Sequence, residues 1–239
     1  MKIIPLTIGS RSSDIRQLDC EVLRSRRKTL AIHIKHRKVE VRTPLHATQR
    51  EIRAFLEGNK QWIEVKLREE SVRYRESLRI EKGRKIFYRA REREIVFQEN
   101  LTHKVIVTAD QFIIKGPSLN TSRAREQVES FLLEKAAKNL PDRTRALARY
   151  LRVSGKLKQV KLRKTKSKWG HCTSAGVIQF NWLIMLAPDS IIDYMIAHEV
   201  CHLVHMDHSA DFWNLVESVC PDYEYYVQWL KAHEHRLWL

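Results

Sequence analysis

Four of the chain's eleven histidines lie in the stretch "HEVCHLVHMDH", which runs from His198 to His208. If this stretch is helical, His198 and His202 fall about 40° apart on the helix surface, one turn from each other. Two imidazoles at this spacing can bind one metal ion. Glu199 lies roughly 60° from His202 on the same surface, where its carboxylate can reach a water molecule beside the ion without binding the ion. The pattern predicts a metal site that activates water, with Glu199 as general base.

The spacing also bears on the third ligand. His205 lies on the same helical face, but its Cα is about 10.5 Å along the axis from that of His198, awkward for a compact tetrahedral site. If the helix ends soon after His205, the chain can turn back and present His208 from the far side. We therefore predict His208 as the third ligand and His205 as a neighbour of the site or a surface residue, with Glu217 and Glu224 as alternative ligands. Three neutral histidines leave a fourth position open, as in catalytic zinc sites.

The opposite side of the same helix is apolar. Ile192, Ile196, Val200 and Leu203 cluster within about 80° of one another on the helical wheel. This face predicts burial against a sheet, which would hold the histidines rigidly. Cys201 lies inside the motif, and we interpret it as a small packing residue instead of a ligand.

The elements that must position this helix are predicted from periodicity. Residues 20–44 alternate apolar and polar side chains as antiparallel strands do, and strand character returns in "KIFYRAREREIVF" and "HKVIVTADQFIIKG". Thr48 and Glu51 have the spacing of a capping box at the start of a helix. A second helical pattern runs from Thr121 to about Val153, and Pro141 should kink or split it. No internal repeat is visible in the sequence.

The last third begins with "VKLRKTKSKWGHCTSAGVIQFNWLIML", which reads as two strands joined by a turn. Three helices should follow, one carrying the histidines, one after Ser209 and one after Pro221. Strands and helices are segregated more than alternated, so we predict an α+β fold class. We divide the chain into a lead over 1–19, a basic β-hairpin and helix part over 20–120, and a catalytic part over 121–239.

Charge is distributed unevenly along the chain. Residues 1–170 hold 42 Lys and Arg against 19 Asp and Glu, whereas residues 171–239 hold 2 against 9. Seven of the basic residues lie between Lys156 and Lys168. This stretch is either a solvated surface or a landing zone for phosphate groups beside the active site. Six residues are candidates for substrate contact: Arg163, Lys164, Lys166, Lys168, His171 and Asn181.

A set of motifs in the last third resembles a known family, the YgjP-like metal-dependent hydrolases, which are relatives of the SprT-like zinc metallopeptidases. The set comprises "WGHC" from Trp169, "NW" from Asn181, Pro188, Tyr194, "HEVCH" from His198 and "HSADFW" from His208. Cys201 departs from the family pattern, in which a small residue such as Ala is frequent.

The resemblance covers most of the chain from about residue 20 and makes 20–239 one family unit. It implies a small zincin-like fold: a mixed or antiparallel sheet packs on the HExxH helix, after a β-rich basic N-terminal part. It also implies that His198, His202 and His208 bind zinc and that Glu199 is the catalytic carboxylate.

Three functions fit these observations. The first is a zinc peptidase, in which an edge strand such as 177–186 pairs with an extended peptide or protein substrate, including one associated with nucleic acid. The second is a metal-dependent pyrophosphatase of nucleoside triphosphates such as UTP, whose phosphates the basic stretch would bind. The third is a non-catalytic nucleic-acid-binding protein with a structural zinc. We favour the first, because the HExxH pattern is suited to hydrolysis of amide bonds.

The sequence also indicates where in the cell the protein is expected. No apolar run approaches the length of a membrane span, and the first residues lack the long apolar segment of a secretory signal. Four cysteines in 239 residues do not form a disulfide framework. We therefore expect a cytoplasmic protein with reduced cysteines and no membrane partner.

Overall fold

A computed structural model describes residues 2–9, 16–35, 38–76, 78–165 and 167–239. The chain forms two compact units, Met1–Glu76 and Ser77–Leu239. Both units combine helices with mixed sheets, which confirms the predicted α+β class and agrees with a small zincin-like fold. The division of the chain at residues 19 and 120 stays a prediction.

The first unit is a four-stranded sheet followed by two helices. In the sheet, whose strand order is β1-β2-β4-β3, the β2–β4 pair is parallel and the other two pairs are antiparallel. The elements are β1 (Lys2–Ile8), β2 (Arg16–Ser25), β3 (Ala31–Lys35), β4 (Lys38–Pro44), α1 (Gln49–Gly58) and α2 (Lys60–Glu76).

Helix α1 begins as the sequence predicts. The Thr48 side chain accepts a hydrogen bond from the Glu51 backbone N–H, and the Glu51 carboxylate accepts one from the Thr48 N–H, which completes a capping box. Ile52 and Leu56 are buried one turn apart and belong to the apolar core of this unit. The capping pair and the buried face therefore define the helix together.

The second unit opens with another four-stranded sheet and a helix. In the strand order β5-β6-β8-β7, the β6–β8 pair is parallel and the other pairs are antiparallel. These elements are β5 (Lys85–Tyr88), β6 (Arg91–Glu99), β7 (Lys104–Val107), β8 (Gln111–Gly116) and α3 (Thr121–Tyr150).

The two sheets and their helices are copies of one topology, which we call the ββββα repeat. Strand order and strand directions agree, and four residues join the last strand to the helix in each, 45–48 and 117–120. Thr48 and Asn120 occupy the same N-cap position, and each accepts a backbone hydrogen bond. The sequence shows no repeat because the copies share the pattern of burial and few residue identities.

Helix α3 continues through Pro141, so the predicted split is wrong. Proline removes one helical hydrogen bond and is costly inside a helix. Burial of Leu140 and Thr144 holds the helix on both sides of the proline, and the Thr144 hydroxyl donates to the Leu140 carbonyl at 2.6 Å. Tertiary packing thus maintains a helix that local preference would interrupt.

A third sheet follows α3, with strand order β10-β11-β9. Its strands are β9 (Gln159–Arg163), β10 (Gly170–Cys172) and β11 (Val177–Asn181). The sequence predicted two strands here, and the stretch Trp182–Leu186 read as strand is a buried 3₁₀ helix. Because all five residues are apolar, the sequence shows neither the alternation typical of a strand nor the periodicity typical of a helix, and the two cannot be distinguished.

Three helices and a short 3₁₀ turn complete the chain. They are α4 (Asp189–Cys201), α5 (Ala210–Val219), α6 (Tyr223–His233) and the 3₁₀ turn Glu234–Arg236. The predicted apolar face of α4 is confirmed, since Ile192, Ile196, Val200 and Leu203 are all buried. In the described part of the chain, no helix combines the length and apolarity that crossing a bilayer requires.

Candidate metal centre

Three histidines converge at the end of α4. One ring nitrogen of each of His198, His202 and His208 lies within 4.8 Å of those of the other two. The Nε2 atoms of His198 and His208 are 3.2 Å apart. A tetrahedral ion with Zn–N bonds of about 2.0–2.1 Å holds its ligand atoms about 3.3 Å apart, so this pair already has the spacing of two ligands.

The α4 helix ends earlier than the sequence predicts. It stops at Cys201 with His202 as its C-cap, so His205 lies beyond the helix and not on its third turn. The His205 backbone carbonyl accepts a hydrogen bond from Nδ1 of His202 at 2.9 Å. This bond places the proton of His202 on Nδ1 and leaves the Nε2 lone pair available to a metal. His205 supports the cluster through its backbone, and its ring is outside the cluster.

Burial favours the neutral form of two of the imidazoles, those of His198 and His202. The pKa of His198 falls to about 3, chiefly because the ring is buried and secondarily because His202 and His208 lie close by. The pKa of His202 is also lowered by burial, although the His205 carbonyl opposes the shift. Neutral imidazole is the form that binds metal ions, so the fold holds these rings ready to act as ligands.

Glu199 lies beside the histidines in a nearly dry position. Glu199 is 3% exposed, and its Oε2 atom has no hydrogen-bond partner among the described residues. Burial raises the pKa of the carboxyl to about 8, while the positive charge of Lys168 acts in the opposite direction. A carboxylate in this state is poised to take up a proton at neutral pH.

The edge strand β10 contacts Glu199 directly. A Cβ atom on Gly170 would lie 2.3 Å from Glu199 Oε1, which no real side chain tolerates. Only glycine therefore allows the carboxyl to rest against the backbone of β10. The predicted edge strand at 177–186 is wrong, because β11 is the central strand of its sheet and β10 is the edge.

Comparison with known families agrees with this geometry. The profile of the YgjP-like metallopeptidase domain matches residues 28–233. The chain belongs to the YgjP-like family. This result confirms the resemblance and indicates a metal-dependent hydrolase with a divalent metal, for which the three-histidine cluster provides ligands. No curated protein matches the chain at a significant level.

The donor set of this YgjP-like chain fits a metal ion. Three nitrogen donors converge, two of the three rings are buried or half-buried, and one is oriented by a backbone carbonyl. The alternative ligands Glu217 and Glu224 are exposed and lie outside the cluster. Three nitrogens from imidazole match zinc well, and they leave coordination positions for a substrate and water.

Aromatic rings form the floor of the YgjP-like site. The Phe212 ring packs against all three imidazoles, with centroid separations of 5.1, 4.4 and 4.9 Å from His198, His202 and His208. Trp213 stacks on the His208 ring at 5.6 Å. From residue type alone, both aromatics are interpreted most simply as core around the metal helix. One sequence signal could have placed them at the site: Phe212 and Trp213 lie at the start of α5, and Phe212 follows the predicted ligand His208 by only four residues.

Ion pairs orient α4 at its other end. Arg89 and Arg143 both pair with Asp189 in the first turn of α4, and Arg143 also pairs with Asp193. Asp189 is at the positive end of the helix dipole, which favours a carboxylate there. These pairs fix the start of the helix whose last turn carries the histidines.

The predicted substrate-contact residues have different surroundings. Lys168 is exposed and close enough to Glu199 to influence its pKa, and His171 is exposed on β10 and acts on the pKa of His202. Lys164 pairs with Glu129 at 2.6 Å, and Arg163 is exposed at the end of β9. Lys166 lies outside the described residues.

Asn181 has a role within the scaffold. It is 1% exposed, and its amide donates to the Thr165 carbonyl at 3.1 Å and to the Thr165 hydroxyl at 3.2 Å. The Thr165 hydroxyl in turn donates to the Lys168 carbonyl at 2.5 Å. Asn181 therefore holds the loop that precedes β10 and carries Lys168.

Proposed function

We propose that this YgjP-like protein is a zinc-dependent peptide hydrolase. His198, His202 and His208 would hold the zinc ion, and Glu199 would act as general base. The observation that carries this proposal is the position of Glu199, which is buried on α4 next to the cluster residue His198 and contacts the backbone of the edge strand β10.

Strand β10 supports a peptide as substrate. An edge strand can pair with an extended polypeptide through main-chain hydrogen bonds. Because Gly170 has no side chain, the Glu199 carboxyl lies directly against the backbone of β10, next to the path of a peptide that pairs with this strand. His171, exposed on the same strand, can donate a hydrogen bond to the substrate.

The chemistry then follows from the residues present. A bound zinc ion supplies polarisation of the scissile carbonyl and makes water easier to deprotonate. Glu199 accepts a proton from the attacking water molecule, whose oxygen bonds to the carbonyl carbon. Glu199 then delivers that proton to the amide nitrogen as the C–N bond breaks, which yields a carboxylic acid and an amine. The raised pKa of Glu199 suits both transfers.

Hydrolysis of nucleoside triphosphates is a second candidate. It is favoured by Lys168, which lies near Glu199 and could bind a phosphate group. Lys164 forms an ion pair with Glu129, so this lysine of the basic stretch is less available to a phosphate group than the sequence implied.

We also propose a cytoplasmic location for the protein. Its four free, buried cysteines support this location, because disulfides are rare in the reducing cytoplasm.

Contact with nucleic acid through the basic part of the chain is a further proposal. The excess of 42 Lys and Arg over 19 Asp and Glu in residues 1–170 supports it. Such contact would bring a peptide hydrolase to proteins that are themselves bound to nucleic acid.

The deciding experiment assays an unfolded protein, such as reduced casein, beside UTP with zinc-loaded enzyme. Glu199→Gln should lower casein cleavage by about 10²–10⁴-fold, because the general base is lost while the amide keeps the shape of the carboxyl. Glu217→Gln, an exposed carboxyl outside the cluster, is the matched control and should cleave normally. If Glu199→Gln abolishes UTP turnover and casein is never cleaved, the nucleotide candidate replaces the peptide hydrolase.

A further inference from the structure

The ββββα repeat of the second unit contains a groove beside its edge strand. The groove lies between β7 and α3, and its cavity volume is about 750 Å³. Val105 of β7 and Phe131 of α3 contribute apolar surface, while Gln127 and Glu134 of α3 contribute polar groups. We call this the second edge groove.

The repeat of the first unit contains a groove at the equivalent place. It lies between the edge strand β3 and the two helices, and its cavity volume is about 270 Å³. Its lining consists of Ile32, Phe55, Asn59 and Trp62, and Trp62 is 44% exposed. We call this the first edge groove.

The four residues that line the first edge groove have counterparts by position among the ten that line the second, although Asn59 and Trp62 lie beyond the end of α1. Ile32 and Val105 occupy the edge strands, each opposite a buried residue of the next strand. On the helices, the lining residues follow their N-caps by the same intervals of 7, 11 and 14 positions: Phe55, Asn59 and Trp62 after Thr48, and Gln127, Phe131 and Glu134 after Asn120. A groove that recurs at the same place in both copies is a property of the repeat and not an accident of one surface.

The backbone of the edge strand faces the second groove's open side. The Thr108 N–H donates to the Gln111 carbonyl at 2.9 Å, which makes Thr108 and Gln111 a hydrogen-bonded pair. Hydrogen-bonded and non-hydrogen-bonded pairs alternate along an antiparallel ladder, and the β7–β8 register pairs Val107 with Phe112 and Val105 with Ile114. The N–H and C=O groups of Val105 and Val107 therefore point away from β8, toward the free edge.

We infer that each edge groove binds an extended polypeptide segment, which joins the repeat's sheet as an added strand. Strand addition satisfies the outward N–H and C=O groups, and the helix beside the edge reads alternate side chains of the segment. The inference names the substrate class of the proposed peptide hydrolase, an unfolded protein chain, and to that extent it rests on the proposed function.

The linings give the two grooves different preferences. The first edge groove offers Ile32, Phe55 and Trp62, so it favours an apolar side chain against the Trp62 indole. The second edge groove favours an acidic segment, because Lys104, Arg123 and Lys135 line it and one of its two carboxylates, Glu134, is paired with Lys138 at 2.6 Å.

The first test uses fluorescent peptides and the full chain carrying Glu199→Gln, which prevents turnover. One ten-residue probe alternates Val and Glu, and another alternates Val and Ser. Each probe is also made with N-methyl groups on all its valines or on all its other residues. We expect anisotropy to show binding that only one of the two methylation phases reduces, by about tenfold or more, since only alternate N–H groups face the edge.

The second test changes the edge itself. Val105→Pro removes an outward N–H, and a proline is tolerated at that position of an edge strand. We expect it to weaken binding of the Val-Glu probe about tenfold, while Val105→Thr, which keeps the N–H, stays within about twofold. Trp62→Ala should weaken the Val-Ser probe about tenfold and leave the Val-Glu probe unchanged. The melting temperature of each variant shows whether it folds.

Several results would overturn the inference. They are equal loss with both methylation phases, equal binding by Val105→Pro and Val105→Thr, or no peptide binding while a single-stranded oligonucleotide binds. Casein cleavage separates this inference from the proposed function. Cleavage that persists without phase-dependent binding rejects the grooves alone, and phase-dependent binding without any cleavage rejects the hydrolase alone.

Discussion

The two ββββα repeats have the same strand order, the same strand directions and equivalent grooves, yet among the described residues only the second repeat shares its unit with a three-histidine cluster. In the first unit the chain ends its compact structure at α2. In the second unit it continues from α3 through a third sheet and α4–α6, and this continuation carries the histidines. The repeat is therefore a scaffold, and the candidate metal ligands lie in the segment that follows it.

The two units also keep separate apolar cores. One core joins the first sheet with α1 and α2, and the other includes α3, the third sheet and the metal helix α4. Because most of α4 is buried in the second core, the ligands and the stability of that unit are linked. The first unit should be indifferent to the metal.

The largest expected effect concerns the third ligand. His208→Ala should lower the affinity for zinc by more than about 100-fold, because it removes a ligand, and ligand losses exceed the effects of outer contacts. His205→Ala keeps the backbone carbonyl that orients His202 and should bind zinc almost normally. Titration with a zinc indicator measures both. Equal retention of zinc in the two variants would contradict the assignment.

A smaller effect is expected from the approach of β10 to Glu199. Gly170→Ala should lower kcat for casein about 10–100-fold, since a displacement of the carboxylate by about 1 Å can cost this much. Zinc content should not change. Gly155→Ala is the control, because a Cβ there meets nothing within 4 Å. Similar losses in both variants would show that Gly170 has no special part in placing Glu199.

Metal removal should separate the two units by the reactivity of their thiols. Burial raises the pKa of Cys20, Cys172 and Cys220 to about 11 and that of Cys201 to about 12, so labelling at neutral pH requires the fold to open. A chelator should speed labelling of the three cysteines in the second unit at least about tenfold and leave Cys20 unchanged. Peptide mass spectrometry resolves each site. Equal acceleration at Cys20 would contradict the contrast.

The smallest effect is a gain of stability confined to the first unit. Gly58 is the last residue of α1, it has no left-handed φ, and a Cβ there meets nothing within 4 Å. Gly58→Ala should raise the free energy of unfolding of this unit by about 0.5–1 kcal/mol. Urea unfolding followed by Cys20 labelling measures it, with casein cleavage unchanged. A decrease in stability would mean that Gly58 has a conformational role.

Much of the fold could be predicted from local signals. The capping box at Thr48, the apolar face of α4 and the segregation of strands from helices were all visible in residue type and period. The errors occurred where packing overrides local preference. Pro141 stays inside a continuous helix, and the apolar run Trp182–Leu186 is a 3₁₀ helix and not a strand. The duplicated topology was invisible because strand pairing depends on residues far apart in sequence.

The candidate metal centre was likewise predictable in part from local signals. Residue types and spacing by themselves determined that His198 and His202 share one face beside Glu199, because a helix has a fixed period. Three features follow from tertiary packing and could not be predicted from spacing: the early end of α4, the contact of Phe212 with all three rings and the approach of Gly170 to the carboxylate. Those contacts join segments whose separation in the sequence no local pattern records, and burial by such segments sets the pKa of Glu199.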